Sequence, residues 1–122
     1  MKTKYAAHLI MAVRYRDHPR ETIPLYENVL LVYADTDDEA MRQACALGRA
    51  EAAETDESFR WNGHPARWEF VGVRKLITCQ PHGLSDRIGH GAELTYSLMV
   101  VRSEADLKKL VAGDPVEITY HE

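Results

Sequence analysis

Three groups of residues carry types and spacings that could do chemistry. Cys79, His82, Asp86 and His90 lie close together in the chain, and all four types can bind a transition metal. The spacing fits no standard zinc pattern, because such patterns set two close ligand pairs about a dozen or more residues apart and these four residues are crowded into one short segment. The set therefore supports either a small metal-dependent enzyme using the 79–91 loop or a solvated loop with incidental histidines. The second group is Arg60-Trp61-Asn62-Gly63-His64 with Arg67-Trp68. Two tryptophans, two arginines and a histidine can hold a planar or phosphorylated ligand by stacking and charge. The same types anchor protein interfaces. Read structurally, Trp68 is a core residue and Trp61 a lid over a helix end. The third group is Glu27 and Glu69, each on a predicted strand among apolar neighbours. Two carboxylates brought together could share perturbed pKa values and perform acid–base work. A glutamate facing water from a half-exposed strand is the commoner use of the residue.

Positioning these groups falls to seven elements. Tyr5, Ala7, Leu9, Met11, Val13 and Tyr15 alternate as one apolar face of a strand over 5–16. Its other face is apolar only near Ile10, which predicts partial cover. Asp17 to Glu21 holds a proline and reads as a turn. A second strand over 25–34 contains Val29-Leu30-Leu31-Val32-Tyr33, apolar at every position and so buried on both faces. The short connection predicts an antiparallel hairpin.

Thr36 with Glu39 three residues on is a capping box, and Asp37 and Asp38 add charge where the helix dipole favours it. The helix continues to about Ala53, with Ala40, Ala44, Gly48 and Ala52 as a small-residue row that can lie close to a sheet. Asn62-Gly63 marks a turn in the polar stretch that follows. A third strand over 66–79 places Trp68, Phe70, Gly72, Arg74 and Leu76 on one side, with Val71, Val73 and Ile77 on the other. Residues 80–91 read as a loop, and 94–101 as a fourth strand. Ser103 caps a second helix over 104–112 that ends at Gly113, and Val116, Ile118 and Tyr120 alternate as a last short strand. The expected fold class is α+β, in the order ββαββαβ. It is an antiparallel sheet of four to five strands with one long helix packed on it.

The 122 residues suit one domain over 1–122, in which 103–122 is a C-terminal helix–strand extension. Fifteen basic against nineteen acidic residues give a net charge of −4, without the overall basic footprint of a nucleic-acid binder. No stretch reaches the roughly 20 apolar residues of a membrane span, and the N-terminus runs into a strand instead of a signal core. Cys45 and Cys79 are far apart and read as reduced thiols, which together places the chain in the cytoplasm. There is no G-x-S-x-G, Walker loop, G-x-G-x-x-G or H-E-x-x-H.

Several segments together resemble a family of bacterial proteins catalogued as domain-of-unknown-function family 4288. They are Tyr5-Ala6-Ala7-His8-Leu9-Ile10, Tyr26 to Val32 with Ala34 to Ala40, Arg67-Trp68-Glu69-Phe70-Val71-Gly72-Val73, and Gly91 to Ser97. Their order and spacing fit from about Tyr5 to Leu98, and the tail from Ser103 looks like an addition. The resemblance supports the fold and implies no activity.

These readings favour a binding protein acting by contact with a protein partner, by analogy an inhibitor or immunity-type protein. Arg60, Trp61, Asn62, His64 and Arg67 are its expected contact residues, with no cofactor. The last strand, placed at a sheet edge, suggests a homodimer.

Overall fold

The strand with the strongest alternation becomes the middle of the sheet. The computed structural model describes residues 2–79 and 87–121. Its elements follow in the order β1 (Thr3–Tyr15), β2 (Ile23–Ala34), α1 (Asp37–Ala53), β3 (Arg60–Trp61), β4 (His64–Thr78), β5 (Glu93–Val101), α2 (Glu104–Ala112) and β6 (Thr119–His121). The strands join as one sheet in the order β3-β4-β1-β2-β5-β6, with every pairing antiparallel.

The expectation of four to five strands under one long helix is corrected to six strands with a helix on each face. Successive strand residues point to opposite faces, so the two apolar sets of β1 need two covers. Tyr5, Ala7 and Leu9 meet Leu30, Val32 and Ala34 of β2 beneath Ala40 and Ala44 of α1. On the other face Ile10 and Ala12 join Ile23, Leu25, Met99 and Val101 beneath Leu107 and Leu110 of α2. Each of those leucines contributes roughly 1.5–3 kcal/mol by leaving water. The cover over Ile10 is thus complete, not partial. Val116 and Ile118 pack against this second cluster as connecting chain, so β6 begins only at Thr119. As its pattern suggested, β6 takes a sheet edge.

The start of α1 follows the capping logic with one difference. Thr36 Oγ1 accepts from the Glu39 N–H at 3.1 Å, while the Glu39 carboxylate accepts from the Asp35 N–H at 2.9 Å, not from that of Thr36. Gly48 brings the helix onto β4, since a Cβ built there would stand 2.3 Å from the Phe70 ring.

β4 breaks the simple alternation. Its register against β1 shifts between His8 and Leu9 and again between Ile10 and Met11, which inserts Arg74 and Val71 as bulges. Phe70 therefore faces α1 while Gly72 meets Val111 of α2, so the expected shared side for Phe70, Gly72 and Arg74 is corrected. No helix among the described residues is long and apolar enough to cross a membrane.

Candidate functional site

Beside the last turns of α1, the sheet face that this helix covers opens into a cleft of about 230 Å³. Met11 and Asn28 supply part of its lining from the central strands, and Tyr26, Trp68 and Tyr96 supply its rings. Glu51 of α1 and Glu93 at the start of β5 complete it. Strand register explains the assembly: Asn28 of β2 stands opposite Leu9 of β1 on one side and Tyr96 of β5 on the other. Tyr26 stands opposite Met11, one step along the same face.

Tyr26 is the hub of the rings. Its centroid lies 5.1 Å from Trp68, 5.4 Å from Tyr96 and 5.9 Å from Trp61. Trp68 also meets Trp61 at 5.8 Å and Phe59 at 5.5 Å. These separations fall in the favourable range, and each pair adds about 0.5–1.5 kcal/mol beyond its buried area.

The polar lining is unusual in its lack of partners. Asn28 is 5% exposed, yet its carboxamide makes no hydrogen bond to any described residue and borders the cleft. The amide atoms keep access to the cleft: among the described residues the buried side-chain polar atoms without a hydrogen-bond partner are those of Arg20, not of Asn28. Glu51 is exposed at the rim, but local burial, then the charges of Glu93 and Glu54, push its carboxyl above the usual carboxylate range. Among the described residues no lysine or arginine lines the cleft.

The expected contact residues are brought only partly together. Asn62 and Gly63 both have positive φ, as a two-residue hairpin turn between β3 and β4 requires. Trp61 joins the ring cluster, half-buried, although its polar surroundings in the chain suggested nothing to cover it. Trp68 is also half-buried there, lining the cleft. The Arg60 guanidinium donates to the carbonyls of Glu57 and Phe59. His64 Nδ1 lies 3.0 Å from Asp17 Oδ2, towards the β1–β2 turn, and Arg67 pairs loosely with Glu69 at 3.6 Å. Of the five, Trp61 alone joins the rings of the cleft.

Glu27 and Glu69 do not form a carboxylate pair; each is met by its own arginine. Glu27, on the α2 face, accepts from Arg74 Nε at 2.6 Å and Nη2 at 2.9 Å, and His8 Nδ1 lies 2.9 Å from its Oε2. Burial would raise its pKa, but the bonds from Arg74 and His8 outweigh that and hold the carboxyl below its ordinary value. Glu69 accepts from Arg14, which also pairs with Glu104 of α2. Both glutamates thus serve ion-paired structure.

In the histidine loop, His82 and Asp86 lie outside the described residues. His90 Nδ1 accepts the Tyr33 N–H at 3.0 Å, taking the place of a strand carbonyl along the edge of β2. Burial pushes the Cys79 thiol up, and its own N–H donates to Lys4 O. Among the described residues no group of three His, Cys, Asp or Glu side chains is placed to hold a metal ion.

Asn28, Tyr26, Tyr96 and Glu51 were missed as site residues in sequence. The available signal was an asparagine set directly before the apolar run Val29 to Val32, where an amide is costly unless used.

No curated protein and no solved structure matches the chain. The model of a domain of unknown function, DUF4288, matches residues 4–96, which takes in β1 to β4 and the first part of β5 with every cleft residue. α2 and β6 lie beyond the match, and the chain belongs to this DUF4288 family.

Proposed function

We propose that the chain is a binding protein that works by contact, recognising a protein partner through the aromatic cleft beside α1. The observation that carries this reading is Asn28. Its carboxamide makes no hydrogen bond to any described residue and opens onto a cleft walled by three rings, which leaves its donor and acceptor groups available to a bound group. Tyr96, 60% exposed, offers the outermost ring, and Trp61 backs it through Tyr26. Aromatic side chains at a concave, half-dry site are the usual anchors of protein contacts.

The experiment compares two exposed tyrosines on opposite faces of the sheet. A photo-crosslinking residue replaces Tyr96 in one sample and Tyr120, 63% exposed and paired opposite Met99, in the other. The Tyr96 position is expected to trap a defined protein from host extract, and the Tyr120 position is not. Tyr96→Ala should then weaken binding of that purified partner by more than about 1 kcal/mol. Equal trapping at both positions, or unchanged affinity in Tyr96→Ala, removes the cleft from the contact surface.

A further inference from the structure

We infer that the group received by the cleft is an organic cation with an alkylammonium head, held over Trp68, Tyr26 and Tyr96 and faced by Glu51 and Glu93. This rests on the contact reading for its location, but the ligand chemistry has its own support.

Three observations converge. The first is the ring arrangement: Tyr26 meets Trp68 tilted at 38° and Tyr96 nearly perpendicular at 87°, so the three rings cannot present one flat stacking surface. Rings set at angles to one another around one cleft suit a compact cation, which any bordering ring face attracts through its quadrupole. A planar base would need a flat platform. The second is charge. Among the described residues the lining carries Glu51 and Glu93 and no basic residue, with Glu54 acting on Glu51 from the C-cap of α1. Those carboxylates repel an anion, and a positive charge entering the cleft offsets both the burial and the like-charge repulsion that raise the Glu51 carboxyl. The third is Asn28. Its carbonyl oxygen at the cleft can accept from the N–H of a primary ammonium and draws a quaternary head by partial charge alone, neither of which a purely apolar ligand could offer.

Size narrows the class further. Pockets for drug-sized ligands run to roughly 300–1,000 Å³. A cleft of about 230 Å³ falls short of that and matches a single side chain or a small head group. The same chemistry is available from a lysine side chain on a partner or from a free small amine.

The test titrates the intact protein with choline, its neutral isostere 3,3-dimethylbutan-1-ol, n-butylamine, N-acetyl-lysine amide and acetate, following tryptophan fluorescence and the indole N–H signals by NMR. Choline and the lysine amide are expected to shift the Trp68 signal, with the neutral isostere at least about tenfold weaker and acetate inactive. Glu51→Gln combined with Glu93→Gln should weaken both cations by about tenfold while the circular dichroism spectrum stays unchanged. Tighter binding of the lysine amide than of n-butylamine assigns the head group to a partner's lysine, and the reverse assigns it to a free amine. Equal binding of choline and its neutral isostere, preference for acetate, or an unaltered affinity in the double variant overturns the inference. Should the cations fail while crosslinking at Tyr96 succeeds, the contact reading stands and the cation reading falls.

Discussion

Asn28 and Tyr96 face each other directly across β2 and β5, one almost sealed from water and the other the most exposed ring of the cleft. That juxtaposition sets stability against function. Asn28→Leu keeps the approximate shape of the side chain and removes an amide that bonds to no described residue. Stability should hold or rise, by no more than about 1 kcal/mol in urea denaturation, while partner affinity falls. A loss of stability above about 1 kcal/mol would mean that the amide serves the fold.

Arg74 is expected to be the most sensitive polar position. Arg74→Met leaves Glu27 buried with His8 as its one remaining side-chain partner among the described residues. Breaking a fully buried pair costs roughly 3–5 kcal/mol, and the partial exposure of Arg74 puts the expected loss at or below the lower end of that range. Thermal and urea unfolding measure it, and a loss under about 0.5 kcal/mol, the level of ordinary surface sites, refutes the role.

The same triad gives a pH signature. The Glu27 carboxyl titrates below its ordinary value when folded, so its contribution to stability is full above the unfolded carboxylate pKa of about 4.3. It is lost as pH falls through the folded value. Wild-type unfolding free energy should therefore decline on acidification below about pH 5, and Arg74→Met should show a shallower decline. Parallel pH profiles for the two proteins would exclude Glu27 as a contributor.

Gly48→Ala tests the approach of α1 to β4. The added Cβ meets the Phe70 ring far inside contact distance, which costs roughly 1–3 kcal/mol as overpacking. Alanine returns up to about 1 kcal/mol of helix propensity. A net loss is expected, and Phe70→Leu in the same chain should relieve it, giving a non-additive double-mutant cycle. Additive effects would place the helix elsewhere.

Thr36→Ala should cost about 0.5–2 kcal/mol and Thr36→Gly less, read by urea midpoint. The bond from the Glu39 N–H to Thr36 Oγ1 is the one removed, while the Glu39 contact to the Asp35 N–H survives.

Much of this architecture is legible in the chain because local rules suffice for it. The alternation of β1, the cap at Thr36, the row Ala40, Ala44 and Gly48, and the Asn62-Gly63 turn each depend on residues close in sequence. β4 is not legible in the same way. Two bulges move Arg74 and Gly72 to the face opposite the one a strict period of two assigns, and that move creates the Glu27–Arg74 pair. The cleft is less legible still, since Asn28, Trp68, Tyr96 and Glu51 come from three strands and a helix. Trp61 shows the limit from the other side. Its neighbours in sequence are polar, and the rings that cover it belong to β2 and β4.

The central place of β1 bears on how the chain reaches this state. β1 can form a hairpin with β2 early, but its other edge waits for β4, where Met11 pairs with Phe70 and Tyr5 with Thr78. Non-local pairing of this kind slows folding, because loop entropy is lost before the contacts form. Until then the hairpin exposes apolar residues on both faces together with an open backbone edge, the combination most prone to intermolecular association. Synthesis of β4 and the closing of α2 over Ile10 and Ala12 therefore end the interval in which the nascent chain is vulnerable to aggregation.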